Sequence, residues 1–220
     1  KPDVGVITNI SYAHIKNFEN INQIAKAKSE IIKNIKVGGY LILNKDDKFY
    51  NFLKKIGLKK NLKILSFSLK NKSATTNLDS ISKEKSKYKI SININKKKKY
   101  FYSNSFFEND LKNLLATITI ISIFKDIHKI DKNIFYDHKV TNGRGDIVKV
   151  KLFNKNFYLV DESYNSNPLS LKSALINFNM IKIDNSKKHL ILGDMLELGR
   201  YSKNYISKLQ KILIRPLSKM

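Results

Sequence analysis

The chain opens on a short β-branched apolar run, VGVITNI (4–10), and this pattern predicts a buried strand. Residues 21–36, INQIAKAKSEIIKNIK, carry isoleucines at helical spacing and stop at Gly38-Gly39, which predicts one amphipathic helix. YLILN (40–44) is a second buried strand, closed by the polar Lys45-Asp46-Asp47. Strand, helix and strand at this spacing predict a βαβ unit of a parallel sheet.

Residues 70–105 are rich in Lys, Ser and Asn, yet KISINI alternates cleanly and YFYSNSF follows the lysine run 96–99. A hairpin with one wet face fits that pattern, with the lysines in a solvated turn. A long helix is predicted over about 108–125, its apolar stripe made by Leu111, Leu114, Leu115, Ile118 and Ile121. TNGRGDI (141–147) sets two glycines close together, the signature of an interdomain hinge. Beyond it KNFYLVDE predicts a strand, PLSLKSALINFNMI a helix, and HLILGDMLELG the opening of a further strand. That is a second α/β unit of Rossmann-like type. The fold class is therefore α/β in two parts, 1–142 and 143–220, with no repeat at solenoid spacing.

Composition narrows the function classes. With no cysteine, disulfides and thiolate metal sites are ruled out, and a reducing, cytoplasmic setting is expected. No apolar run reaches the roughly 18–20 residues that span a bilayer, so no membrane insertion is expected. A chain that begins on Lys1 and runs straight into a strand is expected to be a piece of a longer protein. The net charge of +24 would ordinarily point to nucleic acid. Only three of its 42 basic residues are arginine, however (Arg144, Arg200 and Arg215), whereas nucleic-acid surfaces favour arginine for bidentate contacts. Lys, Ile and Asn rise together, which reads as a genome-wide composition bias. No nucleic-acid partner is expected, and a basic nucleic-acid-binding protein is the rival reading.

Three regions carry candidate chemistry. DESYNSNP (161–168) leaves a predicted strand just before a helix. Asn167 as N-cap and Pro168 as first helical residue explain two of its members. Asp161, Glu162, Tyr164 and Asn165 are left over, where open α/β sheets bind ligands and helix N-termini attract anions. TNISYAH leaves the first strand with Thr8, Asn9 and His14, although a lone histidine is more often structural than a ligand. On a straight helical wheel Lys28 falls in the middle of the stripe made by Ile21, Ile24, Ile32 and Ile35. Desolvation there would favour a neutral amine. The alternative is a snorkelling side chain whose ammonium reaches water. No G-x-x-x-x-G-K-[ST] phosphate loop occurs, and the tripeptide Arg144-Gly145-Asp146 has no adhesion context.

In order and spacing, VITNISYAHIKNF, IAKAKSEI, LNKDD, NLLATITI, the GRG turn, DESYNSNP and LGDMLELG resemble the Mur ligases. The resemblance implies the C-terminal part of a central ATPase domain followed by an incomplete Rossmann-like C-terminal domain. It also implies an ATP- and Mg²⁺-dependent amide-forming ligase of peptidoglycan synthesis, acting as a monomer. Its DESYNSNP and GDMLELG motifs match the branch that joins D-alanyl-D-alanine to UDP-N-acetylmuramoyl-tripeptide through an acyl phosphate. A sister Mur ligase or a folylpolyglutamate synthase-like enzyme is the alternative within the class. By the same resemblance His14 binds magnesium, and Lys28 becomes a carbamate that helps to hold a second magnesium. Asn113 contacts adenine, Arg144 reaches ATP, and Asp161 or Glu162 meets the ribose. Tyr164, Asn165 and Asn167 line a cleft. Two departures stand out: Tyr205-Ile206 where a histidine is usual, and Asn109-Asp110 where a His-Asn pair is frequent. Without a phosphate loop, these 220 residues alone are expected to be inactive.

Overall fold

The structure is a computed structural model and describes residues 1–12, 17–136, 142–164, 166–181, 188–193 and 195. Its contacts divide the chain into two compact units, Lys1–Ile10 with Asn22–His138, and Ser11–Ile21 with Lys139–Met220.

The first unit is built on a six-stranded sheet in chain order: β1 (Val4–Ile7), β2 (Tyr40–Asn44), β3 (Lys63–Ser68), β4 (Thr76–Glu84), β5 (Lys87–Ile94) and β6 (Lys97–Ser103). The β1–β2, β2–β3 and β3–β4 pairs are parallel, and the β4–β5 and β5–β6 pairs are antiparallel. The predicted βαβ unit is therefore present. Strand β2 is buried on both faces, as parallel strands covered by helices are. Leu41 meets helix α3 (Tyr50–Lys59), where a Cβ on Gly57 would lie 2.7 Å from Leu41 Cδ2, so only glycine lets the helix approach this closely. Ile42 packs on the opposite side with Phe67, Ile90, Ile92 and Phe101. Helix α4 (Glu108–Phe124) closes that core with Leu111, Leu114, Leu115 and Ile118, four of the five stripe residues expected. Its Thr119 hydroxyl is satisfied by Leu115 O and by Thr76 Oγ1 on the sheet.

Three expectations are corrected in this unit. The single helix over 21–36 is two, α1 (Ile21–Ser29) and α2 (Ile31–Asn34). Ser29 Oγ donates to Lys26 O at 2.6 Å, and Glu30 N–H bonds back three residues to Ala27 O. The ladder tightens there toward 3₁₀ geometry, so a wheel at 100° per residue does not continue through it. The lysine-rich region holds a three-stranded meander, not one hairpin, because β4 pairs along the full length of β5. Its lysine run is not the turn: Asn95 (φ 47°) and Lys96 (φ 68°) turn the chain, and Lys97, Lys98 and Lys99 lie in β6. Two consecutive positive φ values make this a type I′ turn, whose twist matches a tight hairpin.

The second unit holds strands β7 (Asp146–Leu152) and β8 (Lys155–Asp161), an antiparallel hairpin, and helix α5 (Pro168–Met180). The strand and helix expected around DESYNSNP are in place. A strand at 189–199 is not found among its described residues, since 188–193 carry no ladder. A strand needs a hydrogen-bonded neighbour, and β8 is paired on one side with β7. Among the described residues no helix is long and apolar enough to cross a membrane.

Candidate active site

In the first unit the polar residues gather at the carboxyl ends of the parallel strands. After β2, Asp46 Oδ1 accepts the Ser68 hydroxyl at 2.5 Å, and its Oδ2 accepts Leu69 N–H at 2.7 Å, so β2 is tied to the end of β3. Asp47 Oδ2 accepts Ile10 N–H at 2.8 Å, which ties β2 to the end of β1. Asn44, buried at the end of the same strand, orients this turn by accepting Asp46 N–H. The first turn of α4 faces the same edge. Lys112 holds the Glu108 carboxyl below its ordinary range through a 2.6 Å ion pair, against the opposing effect of partial burial; Lys70 adds to the lowering and Asp46 weakly opposes it. The edge is thus a frame of satisfied carboxylates between strand ends, where α/β sheets take their ligands.

Lys28 reaches this edge from α1. Its Nζ donates to Asn9 O at 3.1 Å. The expectation that Lys28 is desolvated in mid-stripe is corrected, since the residue is exposed. The buried face runs through Ile24, Ala25, Ile32 and Ile35, and the tightened turn after Ser29 takes Lys28 off the line between Ile24 and Ile32. Asn113 lies on the exposed side of α4. His14 lies outside the described residues.

In the second unit the GRG turn and DESY clasp each other across the open end of the β7–β8 hairpin. Gly145 N–H donates to Asp161 O at 2.6 Å, Tyr164 N–H donates to Gly143 O at 3.1 Å, and Gly143 N–H donates to Asp146 Oδ1 at 2.7 Å. The clasp presents Arg144 outward, with its guanidinium carbon 4.4 Å from the centroid of the Tyr164 ring. The Asp161 carboxyl is held below its usual range by the Ser163 hydroxyl and then by Ser163 N–H, which donates to Oδ1 at 2.9 Å. Glu162 and Tyr164 are exposed. Asn167 caps α5: its Oδ1 accepts from Leu169 N–H and Ser170 N–H, and Ser170 Oγ accepts from Asn167 N–H in return. That oxygen is committed to the helix, with Pro168 at the first helical position. Asn165 lies outside the described residues.

The structure therefore gathers Arg144, Asp161, Glu162 and Tyr164 into one cluster and sets Lys28 in another with Asn9. The sequence reading did not single out Asp46, Asp47 and Ser68 as site residues. Two acids directly after a buried parallel strand were the available signal.

A family model described as the Mur ligase middle domain matches residues 1–121. The UDP-N-acetylmuramoyl-tripeptide–D-alanyl-D-alanine ligase of Rickettsia prowazekii is 30% identical over 210 residues, covering 90% of this chain and 43% of that protein. The UDP-N-acetylmuramate–L-alanine ligase of Borreliella afzelii is 36% identical over 72 residues, 33% of this chain and 15% of that protein. A crystal structure of a MurF ligase from Thermotoga maritima in complex with ADP superposes with a TM-score of 0.77 at 21% identity, covering 99% of this chain and 50% of that one. The chain thus spans less than half the length of the D-alanyl-D-alanine ligase it matches. With more than half of its residues under the middle-domain model, this chain belongs to the Mur ligase family.

Proposed function

We propose that this chain is part of a cytoplasmic ligase of peptidoglycan synthesis that joins D-alanyl-D-alanine to UDP-N-acetylmuramoyl-tripeptide, using ATP and Mg²⁺. In this reading residues 1–142 belong to the central ATPase domain and 143–220 to the C-terminal ligase domain. One observation carries it: similarity to the Rickettsia tripeptide ligase runs over 210 residues, whereas the match to a sister ligase stops at 72.

The reaction has two steps. The tripeptide carboxylate attacks the γ-phosphorus of ATP, giving an acyl phosphate and ADP. The amine of D-alanyl-D-alanine then attacks the acyl carbon, phosphate leaves, and the amine loses a proton. Both steps crowd anions together, so cationic and hydrogen-bonding groups that are already oriented lower the barrier. Arg144 is the cation offered to the ATP phosphates, and the clasp that carries it fixes its backbone. Asp161, kept ionised by Ser163, or Glu162 accepts from the ribose hydroxyls. Asn113 meets the adenine from the exposed side of α4, and Tyr164, Asn165 and Asn167 line the cleft.

Among the described residues no group of three or more His, Cys, Asp or Glu is placed to hold a metal ion. Mg²⁺ characteristically takes one or two protein oxygens and fills its shell with water and substrate phosphates. A carbamate, formed if the Lys28 amine adds to carbon dioxide and gives up a proton, would be that kind of oxygen donor, and His14, a nitrogen donor, is the second protein ligand proposed. When bound, the metal neutralises charge on the phosphates. Lys28 itself is held at the strand edge by Asn9 O.

The test uses the complete protein encoded with this sequence. Given ATP, Mg²⁺ and UDP-N-acetylmuramoyl-tripeptide, it should release phosphate only when D-alanyl-D-alanine is added. Turnover with a single amino acid in place of the dipeptide would move the assignment to a sister ligase. Phosphate release that ignores every amine would remove the ligase reading.

A further inference from the structure

The peptide bond between Asn9 and Ile10 is gripped from both sides. Its carbonyl accepts from Lys28 Nζ at 3.1 Å, and its N–H donates to Asp47 Oδ2 at 2.8 Å. A peptide unit is planar and rigid, so the two contacts cannot turn independently. The carboxylate is itself fixed. Its other oxygen accepts Phe49 N–H at 2.8 Å, and Asp47 N–H bonds to Asn44 O at 3.3 Å, within the turn that follows β2. Ile10 is 7% exposed, and its N–H bond to Asp47 is part-buried.

We propose that Asp47 is a positioning residue for Lys28, acting through the 9–10 peptide. The carboxylate on β2 aims the carbonyl beyond β1, and that carbonyl holds the amine arriving from α1. Both ends of the chain are charge-assisted, an anion accepting at one and an ammonium donating at the other. Hydrogen bonds in series polarise one another, so the grip on Lys28 depends on the charge of Asp47 as well as its shape. The catalytic meaning of this arrangement rests on the role proposed for Lys28; the relay itself does not.

Competitive acetylation with limiting acetic anhydride, read by peptide mass spectrometry on the complete protein, tests the relay. Lys26, exposed on the same helix, is the internal reference. Lys28 should react more slowly than Lys26 in the wild type. Asp47→Ala should raise the Lys28/Lys26 ratio at least threefold. Asp47→Asn, which keeps an oxygen for Ile10 N–H but loses the charge, should fall between them and serves as the test if the alanine variant does not fold. Asp46→Ala, removing the carboxylate tied to Ser68 and Leu69, should leave the ratio unchanged. A ratio that ignores Asp47, or that rises equally with Asp46→Ala, overturns the relay. In the ligase assay Asp47→Asn should lower kcat at least fivefold, with the KM for ATP within twofold of wild type. If the wild-type protein shows no ligase turnover, the functional reading fails while the acetylation ratio still decides the relay.

Discussion

The guanidinium of Arg144 stands over the ring of Tyr164, its carbon 4.4 Å from the ring centroid. Arg144 lies just before β7 and Tyr164 just after β8, and they meet because the open end of the hairpin is clasped by Gly145 N–H to Asp161 O and Tyr164 N–H to Gly143 O. An exposed pair of this kind contributes only about 0.5–1 kcal/mol, enough to bias where the guanidinium sits without fixing it there. The clasp sets the backbone and the ring restricts the side chain. A cation held in this way can swing to an anion at small cost.

Arg144→Ala in the complete protein should therefore damage turnover far more than folding. Losing a charge-assisted contact to a phosphate costs about 1.5–3 kcal/mol, on the order of tenfold to a hundredfold in kcat/KM for ATP. Thermal melting should move little, because the side chain is exposed. Normal ATP kinetics combined with a large melting loss would make Arg144 structural.

Gly143→Ala should destabilise the second unit more than Gly145→Ala. Both glycines have positive φ, +74° and +94°, so either alanine is strained by about 1–2 kcal/mol. At Gly143 the new Cβ also meets Tyr164 N at 3.0 Å, and backbone cannot step aside. At Gly145 it meets Glu162 Oε1 at 3.1 Å, the movable end of a side chain. Chemical denaturation of the two variants gives the order, and equal losses would show that backbone strain alone decides it.

Asp161 should titrate below the ordinary aspartate range, and Ser163→Ala should bring its midpoint part of the way back. The hydroxyl of Ser163 is the larger cause of the depression, and Ser163 N–H remains in the variant. Because the folded-state value is depressed, the associated stability is present above the unfolded carboxyl's range. It is lost as pH falls through the folded value, a window below about pH 4. Carboxyl ¹³C titration measures the midpoint, and an unchanged value in Ser163→Ala would take the hydroxyl out of the account.

Lys28→Ala in the complete protein should abolish most turnover and recover part of it with added formate or acetate, small carboxylates able to fill the place of a carbamate. Lys26→Ala should be nearly silent. Both lysines are exposed on the same short helix, so charge loss alone would affect them alike. Full activity of Lys28→Ala in carbon-dioxide-depleted buffer would leave the lysine a snorkelling surface residue.

What the sequence determined by itself is what depends on near neighbours. VGVI and YLILN become strands because β-branched and apolar runs suit a sheet buried on both faces. The stripe on α4 is buried because residues three and four apart share a helix face. Asn167 and Pro168 start α5 because a cap needs partners only two and three positions ahead.

Tertiary structure decided whatever needed a distant partner. A single wheel over 21–36 put Lys28 inside with the isoleucines, but packing of α1 and α2 buries Ile24, Ala25, Ile32 and Ile35 and leaves Lys28 exposed, its Nζ on Asn9 O nineteen residues away. HLILG has the composition of a strand, yet among the described residues no neighbour offers it a ladder. The Asp47–Ile10 bond joins residues 37 apart, and no local preference of either specifies it. It forms because parallel pairing brings the ends of β1 and β2 side by side, so that an acid after one strand meets the amide leaving the other. The candidate chemistry lies at such meetings of strand ends, and the register of the sheet sets them.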